Sequence, residues 1–86
     1  MSAIDQLRTA LPYPWVYDPT YEPGVFNRVK WKCEVDGIQW EAIYYDANTN
    51  IDHRRNEFYW TLIRTQGDAT LTGAGKTVTL AIVDML

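Results

Sequence analysis

One stretch of the chain has residue types and spacing that resemble a calcium-binding loop. Residues 46–57 read DANTNIDHRRNE, and the pattern D-x-[DN]-x-[DN]-G-x5-E describes such loops. These loops supply carboxylate and carbonyl oxygens from alternating positions and a bidentate glutamate at the end. Four residues match the ligand positions of the pattern: Asp46, Asn48, Asn50 and Glu57.

Three features of the same stretch argue against calcium. Ile51 stands where the loop needs glycine, and an isoleucine does not readily adopt the backbone that glycine allows. Arg54 and Arg55 place two positive charges in a loop that would bind a cation. The flanking segments have the pattern of strands, whereas a calcium loop joins helices. Asp and Asn also stabilise turns, so we favour a polar hairpin loop and expect no metal.

A second stretch, TGAGKT, resembles a phosphate-binding loop. That motif is G-x-x-x-x-G-K-[ST], and it fails here because Thr70 stands five places before Gly75. Backbone N–H groups at a helix start could still bind a small anion or a nucleotide. We favour a flexible loop that leads into a helix, with an anion site as the alternative. The residues of that alternative site are Gly73, Gly75, Lys76 and Thr77.

The residues needed for nucleophilic catalysis or a structural zinc site are too few. Ser2 is the only serine and His53 the only histidine, and Cys33 faces the predicted core. No catalytic triad and no four-ligand zinc site can be built from this set. Glu34 and Glu41 lie at solvated positions of a predicted sheet. We therefore expect no enzymatic activity and no cofactor.

The clearest structural pattern is a β-hairpin with strands at about 25–35 and 38–45. Apolar and charged residues alternate in VFNRVKWKCEV and IQWEAIYY, and Asp36-Gly37 is a two-residue turn of type I′. That turn places Lys32 opposite Glu41, an oppositely charged pair. The same register makes every pair on the other face apolar: Val35 with Ile38, Cys33 with Trp40, Trp31 with Ala42, and Val29 with Tyr44.

The remaining segments complete a single α+β domain over residues 1–86. A helix is predicted at about 3–11, capped by Ser2, and a third strand at about 57–64. The segment 12–24, which directly follows the helix, holds all four prolines and is predicted to be an irregular strap that covers the core. A partner-docking segment is the alternative. The last segment, about 77–86, shows an apolar stripe at helical spacing after a Thr77 cap, although its β-branched residues also fit a strand. We expect an α-β-β-β-α order, with an antiparallel meander sheet and both helices on one face.

The last third of the chain, EFYWTLIR…GAGKTVTLAIVDML, resembles small tailed-phage proteins of the α/β/α-sandwich type. Those proteins pair a strand with a threonine-led LAI helix after a flexible, glycine-containing loop. This chain departs from them where the polar Asp84 follows LAI. The resemblance implies a phage or prophage origin and carries no catalytic residues.

Composition limits the compartment and the partner class. The 86 residues are 47% hydrophobic with a net charge of −3, which argues against general binding to a phosphate backbone. One cysteine excludes an internal disulfide, and the N-terminal sequence lacks the pattern of a signal peptide. No apolar stretch reaches the roughly 20 residues that cross a bilayer. We expect a cytoplasmic protein, in the host cytoplasm if a phage encodes it.

A surface for binding another protein is the favoured function. If the helices cover the face that holds Trp31 and Trp40, the other face displays basic and aromatic residues. Glu34 and Glu41 share that face, and its mixed charge suits a protein partner or a second copy of the chain. Occlusion of that partner's surface would be the mechanism. Binding of single-stranded nucleic acid by the same face is the alternative. The candidate partner-binding residues are Arg28, Lys30, Lys32, Tyr45, Tyr59, Arg54 and Arg55.

Overall fold

The computed structural model describes residues 2–18, 28–45 and 59–86, which form one antiparallel sheet and two helices. The strands follow chain order across the sheet, β1-β2-β3-β4-β5, so the sheet is a meander. The α+β class and the antiparallel meander are confirmed, but the sheet has five strands where three were predicted. The elements are α1 (Ala3–Ala10), β1 (Val16–Tyr17), β2 (Arg28–Val35), β3 (Ile38–Tyr45), β4 (Trp60–Gln66), β5 (Ala69–Gly75) and α2 (Val78–Met85).

The β2–β3 hairpin has the predicted turn and the predicted register. Asp36 and Gly37 have φ values of 53° and 79°, the positive values that a type I′ turn needs at both central residues. Each predicted pair occurs, from Val35 with Ile38 at the turn to Val29 with Tyr44, and Lys32 lies opposite Glu41. A shift of one residue would move the apolar side chains to the opposite face, which explains why the pattern determined the register.

Both helices begin at the predicted capping residues. The Ser2 hydroxyl oxygen accepts a hydrogen bond from the Asp5 amide at 3.4 Å, and the Thr77 hydroxyl oxygen accepts one from the Leu80 amide at 3.1 Å. Each bond satisfies one of the amides that a helix start leaves without an intrahelical partner. The prediction of a C-terminal helix is therefore confirmed, and the alternative of a strand is wrong.

The segment predicted as a flexible loop before that helix is the strand β5. It pairs with β4 along its whole length, from Gln66 with Ala69 to Trp60 with Gly75. Gly67 and Asp68 form the connecting turn, with a positive φ at Gly67 alone, as a type II′ turn requires. The glycines and alanines of this strand have low β-propensity, which is why the sequence pattern did not indicate it.

The proline-rich strap also contains a strand that was not predicted. Val16 and Tyr17 form β1 and pair with Lys32 and Trp31 of β2. Neither residue is a proline, and a short strand at the edge of a sheet tolerates prolines beside it. Trp15, which precedes β1, is buried in the core, so this part of the strap covers the sheet. Residues 19–24 of the strap lie outside the described residues.

Both helices pack on the sheet face that holds the buried tryptophans. Trp40 and Ala42 of β3 and Trp60 and Leu62 of β4 form one cluster with the helices. The helices contribute four buried side chains to that cluster: Leu7, Val78, Ala81 and Met85. The opposite sheet face is turned away from both helices, because side chains alternate between the faces of a strand.

The indole nitrogen of Trp60 is a buried donor that has no acceptor among the described residues. The side chain is fully buried and packs against Trp31 and Tyr44, with ring centroids 6.1 Å and 4.9 Å away. No hydrogen-bond acceptor within the described ranges reaches its Nε1 atom. Leaving such a group unpaired costs about 1–3 kcal/mol of folding free energy. The apolar contacts of the Trp60 ring stabilise the fold, and its unpaired N–H offsets part of that gain.

Candidate functional site

The face of the sheet that points away from both helices carries most of the predicted partner-binding residues that the structure describes. We call it the distal face. On β2 and β3, the residues of this face alternate with the residues that face the core. The pairing of β1 with β2 and of β4 with β3 places further residues on the same face. Those used below are Val16, Asp18, Arg28, Lys30, Lys32, Glu34, Gln39, Glu41, Ile43 and Ile63.

The two lysines of the distal face each lie near a carboxylate. Lys30 Nζ lies 3.0 Å from Glu41 Oε1, and Lys32 Nζ lies 3.9 Å from Asp18 Oδ2. Lys32 lies opposite Glu41 in the strand register, yet the residue that contacts Glu41 is Lys30, two residues away on the same face. Adjacent diagonal positions on a sheet are within reach of long side chains, which accounts for this geometry.

Asp18 is a member of this face that the sequence pattern did not indicate. Its amide donates to the Lys30 carbonyl oxygen at 3.0 Å, which continues the β1–β2 pairing by one residue. Only 7% of the residue is exposed, although an aspartate is almost never buried unless it is paired. In the sequence, Asp18 is only an acidic residue beside a proline. Its position next to Lys30 and Lys32 depends on the β1–β2 pairing, which was not predicted.

The charges of the distal face balance within the described residues. Three cationic side chains share the face with three carboxylates, namely Arg28, Lys30 and Lys32 with Asp18, Glu34 and Glu41. The face therefore has mixed charge, as expected from Glu34 and Glu41, and Asp18 adds a third carboxylate. Such a face has little net attraction for a polyanion, but it can form complementary pairs with a protein surface.

A groove lies on the distal face at the β1 side of the sheet. Its volume is about 560 Å³, and its lining alternates between charged, amide and apolar groups. Val16 is 60% exposed at its rim. The lining residues are Val16, Lys32, Cys33, Glu34, Gln39, Trp40 and Glu41. The groove is open to solvent, so it can receive one or two side chains of a partner but does not enclose a drug-sized ligand.

Two isoleucines lie next to the paired charges. Ile43 belongs to β3 and lies opposite Thr61, and Ile63 belongs to β4 and lies opposite Glu41. Both are half-buried. An aliphatic centre bordered by paired charges has the composition of a protein–protein contact, in which a polar rim surrounds an apolar core.

The remaining predicted partner-binding residues are divided between the described and undescribed parts of the chain. Tyr45 is the last residue of β3 and pairs with Arg28. Tyr59 precedes β4 and is half-buried against the core cluster, so it is a packing residue as well as a candidate contact. Arg54 and Arg55 lie outside the described residues, as do the calcium-loop positions Asp46, Asn48, Asn50 and Glu57.

The predicted anion site does not have the geometry of a loop. Gly73 and Gly75 lie within β5 and are buried beneath α2. Only Lys76 and Thr77 connect the strand to the helix, and the Thr77 hydroxyl caps that helix. The glycines here allow a helix to approach a strand closely, and they do not surround an anion.

The surroundings of Cys33 disfavour a reactive thiol. Cys33 packs against the core, and burial raises the pKa of its thiol above the ordinary value, which disfavours the nucleophilic thiolate. No group of three or more His, Cys, Asp or Glu side chains in residues 2–18, 28–45 and 59–86 could hold a metal ion. Across the same ranges, no helix has the length and apolar character needed to cross a membrane.

Comparisons of the chain with protein-family models, with curated proteins and with solved structures found no match.

Proposed function

We propose that this protein is a non-enzymatic binding module that docks a folded protein partner on the distal face. The observation that carries the proposal is the composition of that face: an aliphatic centre, paired charges of both signs, and a groove beside them. Docking there would cover the corresponding surface of the partner, so the protein would act stoichiometrically, by occlusion.

The groove defines the chemistry of the partner. Val16 supplies an exposed apolar side chain, while Lys32, Glu34 and Glu41 supply charges of both signs. A protruding aliphatic or aromatic side chain of the partner would fill the groove, and flanking charges of both signs would pair with its rim. Buried anchors of this kind carry most of the energy of protein interfaces.

The balance of charge favours a protein over a nucleic acid. Lys30 already contacts Glu41, and Lys32 lies near Asp18. A nucleic acid would have to compete with these carboxylates for both lysines, and Glu34 would repel its phosphates. The nucleic-acid alternative stays a prediction, and a steep loss of retention with added salt would favour it.

A phage or prophage origin belongs to the same proposal. It is supported by the resemblance of the last third of the chain to small tailed-phage proteins, where the threonine-capped helix is present. An accessory factor that modulates a host protein in the cytoplasm would need a binding face of this kind and no active site.

The test compares one variant in the groove with one on the helix side. The change Gln39→Arg fills the groove from an exposed position, and Thr79→Arg makes the matched change at an exposed position of α2. Tagged wild type and both variants are used to capture proteins from nuclease-treated bacterial lysate, with identification by mass spectrometry. The partner identified with wild type is then titrated against all three proteins.

We expect Gln39→Arg to weaken partner binding by about 30-fold, which corresponds to roughly 2 kcal/mol at an interface anchor. Thr79→Arg should bind like wild type, and circular dichroism should show that both variants are folded. Equal binding by all three proteins, or a loss confined to Thr79→Arg, would place the contact elsewhere and refute the choice of face.

A further inference from the structure

The two edges of the sheet differ in how they are protected. β1 has only two residues and is flanked in the sequence by Pro14 and Pro19, which limits the backbone available for pairing. β5 has seven residues, Ala69–Gly75, and contains no proline and no charged residue. Natural edge strands usually carry such residues because an unprotected edge pairs with other chains.

The free backbone groups of β5 belong to alternate residues. Gln66 and Ala69 close a two-residue turn, so the pairs that exchange hydrogen bonds with β4 include Leu71 and Gly73. The backbone groups of Thr70, Thr72 and Ala74 therefore point away from β4. The Ala74 amide donates to Asp84 Oδ2 at 2.9 Å, which agrees with this direction.

Asp84 thus protects one end of the edge and leaves the other end open. No strand within the described ranges pairs with the outer side of β5. Leu71 is 40% exposed on the helix side of this strand. Leu80 is 51% exposed one helical turn before Asp84, on the same side of α2, and therefore close to the edge.

We propose that a second copy of this chain pairs with the outer edge of β5 across a twofold axis at Leu71. In that antiparallel register Leu71 faces Leu71 of the second copy, and Thr70 of each copy faces Thr72 of the other. The two threonines are the residues whose backbone groups are free, so each pair exchanges two backbone hydrogen bonds. The two five-stranded sheets then form one continuous ten-stranded sheet.

The occupant is a second copy because the edge is complementary to itself. An uncharged strand meets an uncharged strand without like-charge repulsion, and Thr–Thr pairs stabilise neighbouring strands. The two Leu71 side chains bury each other on the helix side of the new sheet, and Leu80, which lies beside Gly75, falls level with Gly67 of the second copy. Asp84, the only charged residue of α2, already accepts from Ala74 and lies outside the paired residues.

The size of this contact predicts a weak dimer. One strand per copy and the leucine contact at the twofold axis bury less than the ~1,600 Å² of a standard interface. The association therefore has to be measured by sedimentation equilibrium over concentrations from about 10 μM to about 1 mM. The proposal is independent of docking in the groove, because the groove lies near the β1 edge of the sheet and the dimer forms at the β5 edge.

Charge at the edge gives the first test. We expect wild type to dimerise and Leu71→Lys to raise the dissociation constant of the dimer at least tenfold. Val16→Lys, at an exposed position of the opposite edge, should leave that constant unchanged. Thr72→Pro removes an outward N–H that takes no part in the β4–β5 ladder, so it should dissociate the dimer and keep the fold. That variant decides the question if Leu71→Lys does not fold.

Cross-linking tests the register. The twofold axis places the two Leu71 Cα atoms about 4.5 Å apart, within the range of a disulfide. In a Cys33→Ala background, Leu71→Cys should form a disulfide-linked dimer in a glutathione redox buffer, and Val16→Cys should not. Wild type that stays monomeric to about 1 mM would overturn the proposal, as would a dimer that Leu71→Lys and Thr72→Pro leave intact or that cross-links through position 16.

Discussion

The close approach of α2 to β5 predicts that Gly73→Ala destabilises the fold strongly. A Cβ atom at Gly73 would lie 2.6 Å from the Met85 amide nitrogen, 2.8 Å from the Met85 Cβ, and nearer still to the Ala81 carbonyl oxygen. Ordinary contacts between such atoms are about 3.5–4.0 Å, so the helix would have to move outward by about 1 Å. The backbone of Gly73 has no positive φ, so the cost comes from lack of space alone.

The expected magnitude follows from two opposing effects. Overpacking of this kind costs about 3 kcal/mol, because the displaced helix also loses contacts of the buried Ala81 and Met85. Replacing glycine by alanine restricts the unfolded chain and returns about 0.7 kcal/mol. The net loss of about 2 kcal/mol is a large share of the roughly 4–13 kcal/mol expected for the unfolding of 86 residues.

Urea denaturation followed by tryptophan fluorescence measures this change. With a denaturant slope of about 1 kcal/mol per molar, the unfolding midpoint of Gly73→Ala should fall by about 2 M. Thr70→Ala is the control, because it changes an exposed residue of the same strand and should shift stability by less than about 0.5 kcal/mol. A midpoint for Gly73→Ala equal to that of Thr70→Ala would show that α2 does not lie this close to β5, and would refute the reasoning.

Two further changes test single hydrogen-bonding groups, both by the same urea assay. Trp60→Phe removes the buried donor that has no acceptor in the described ranges, so the gain of about 1–3 kcal/mol should offset the lost ring volume and leave stability within about 1 kcal/mol of wild type. A loss near the 3–5 kcal/mol of a tryptophan truncated to alanine would mean that the indole N–H is satisfied. Asp84→Ala removes the acceptor of the Ala74 amide and should cost about 1 kcal/mol more than Asp68→Ala at the exposed turn. Equal costs would show that the Asp84 carboxylate adds nothing to the edge of β5.

The parts of the fold that the sequence predicted are those where local pattern and tertiary structure agree. In the β2–β3 hairpin, alternation, turn residues and the Lys32–Glu41 pair all required the same register, and the structure has it. The C-terminal helix was predicted because Thr77 and the apolar stripe agreed about where it begins. Each of these signals lies within one or two neighbouring segments.

The parts that were missed depend on partners distant in the sequence or on weak local signals. β5 is built from small residues whose strand conformation is determined by pairing with β4 and by the helix above Gly73 and Gly75. β1 depends on β2, which follows it after an intervening segment, and with β1 the sequence pattern also missed Asp18. The mixed charge of the distal face was expected from Glu34 and Glu41, but its third carboxylate, Asp18, comes from an element that was not predicted.

Site-specific photo-cross-linking tests the central claim, docking of a protein partner on the distal face, most directly. A benzophenone amino acid is placed at Gln39 in the groove or at Thr79 on α2, both exposed, and each protein is irradiated in lysate. We expect a discrete heterologous adduct from position 39 and none from position 79. An adduct from position 79 alone, or no protein adduct from position 39, would contradict it.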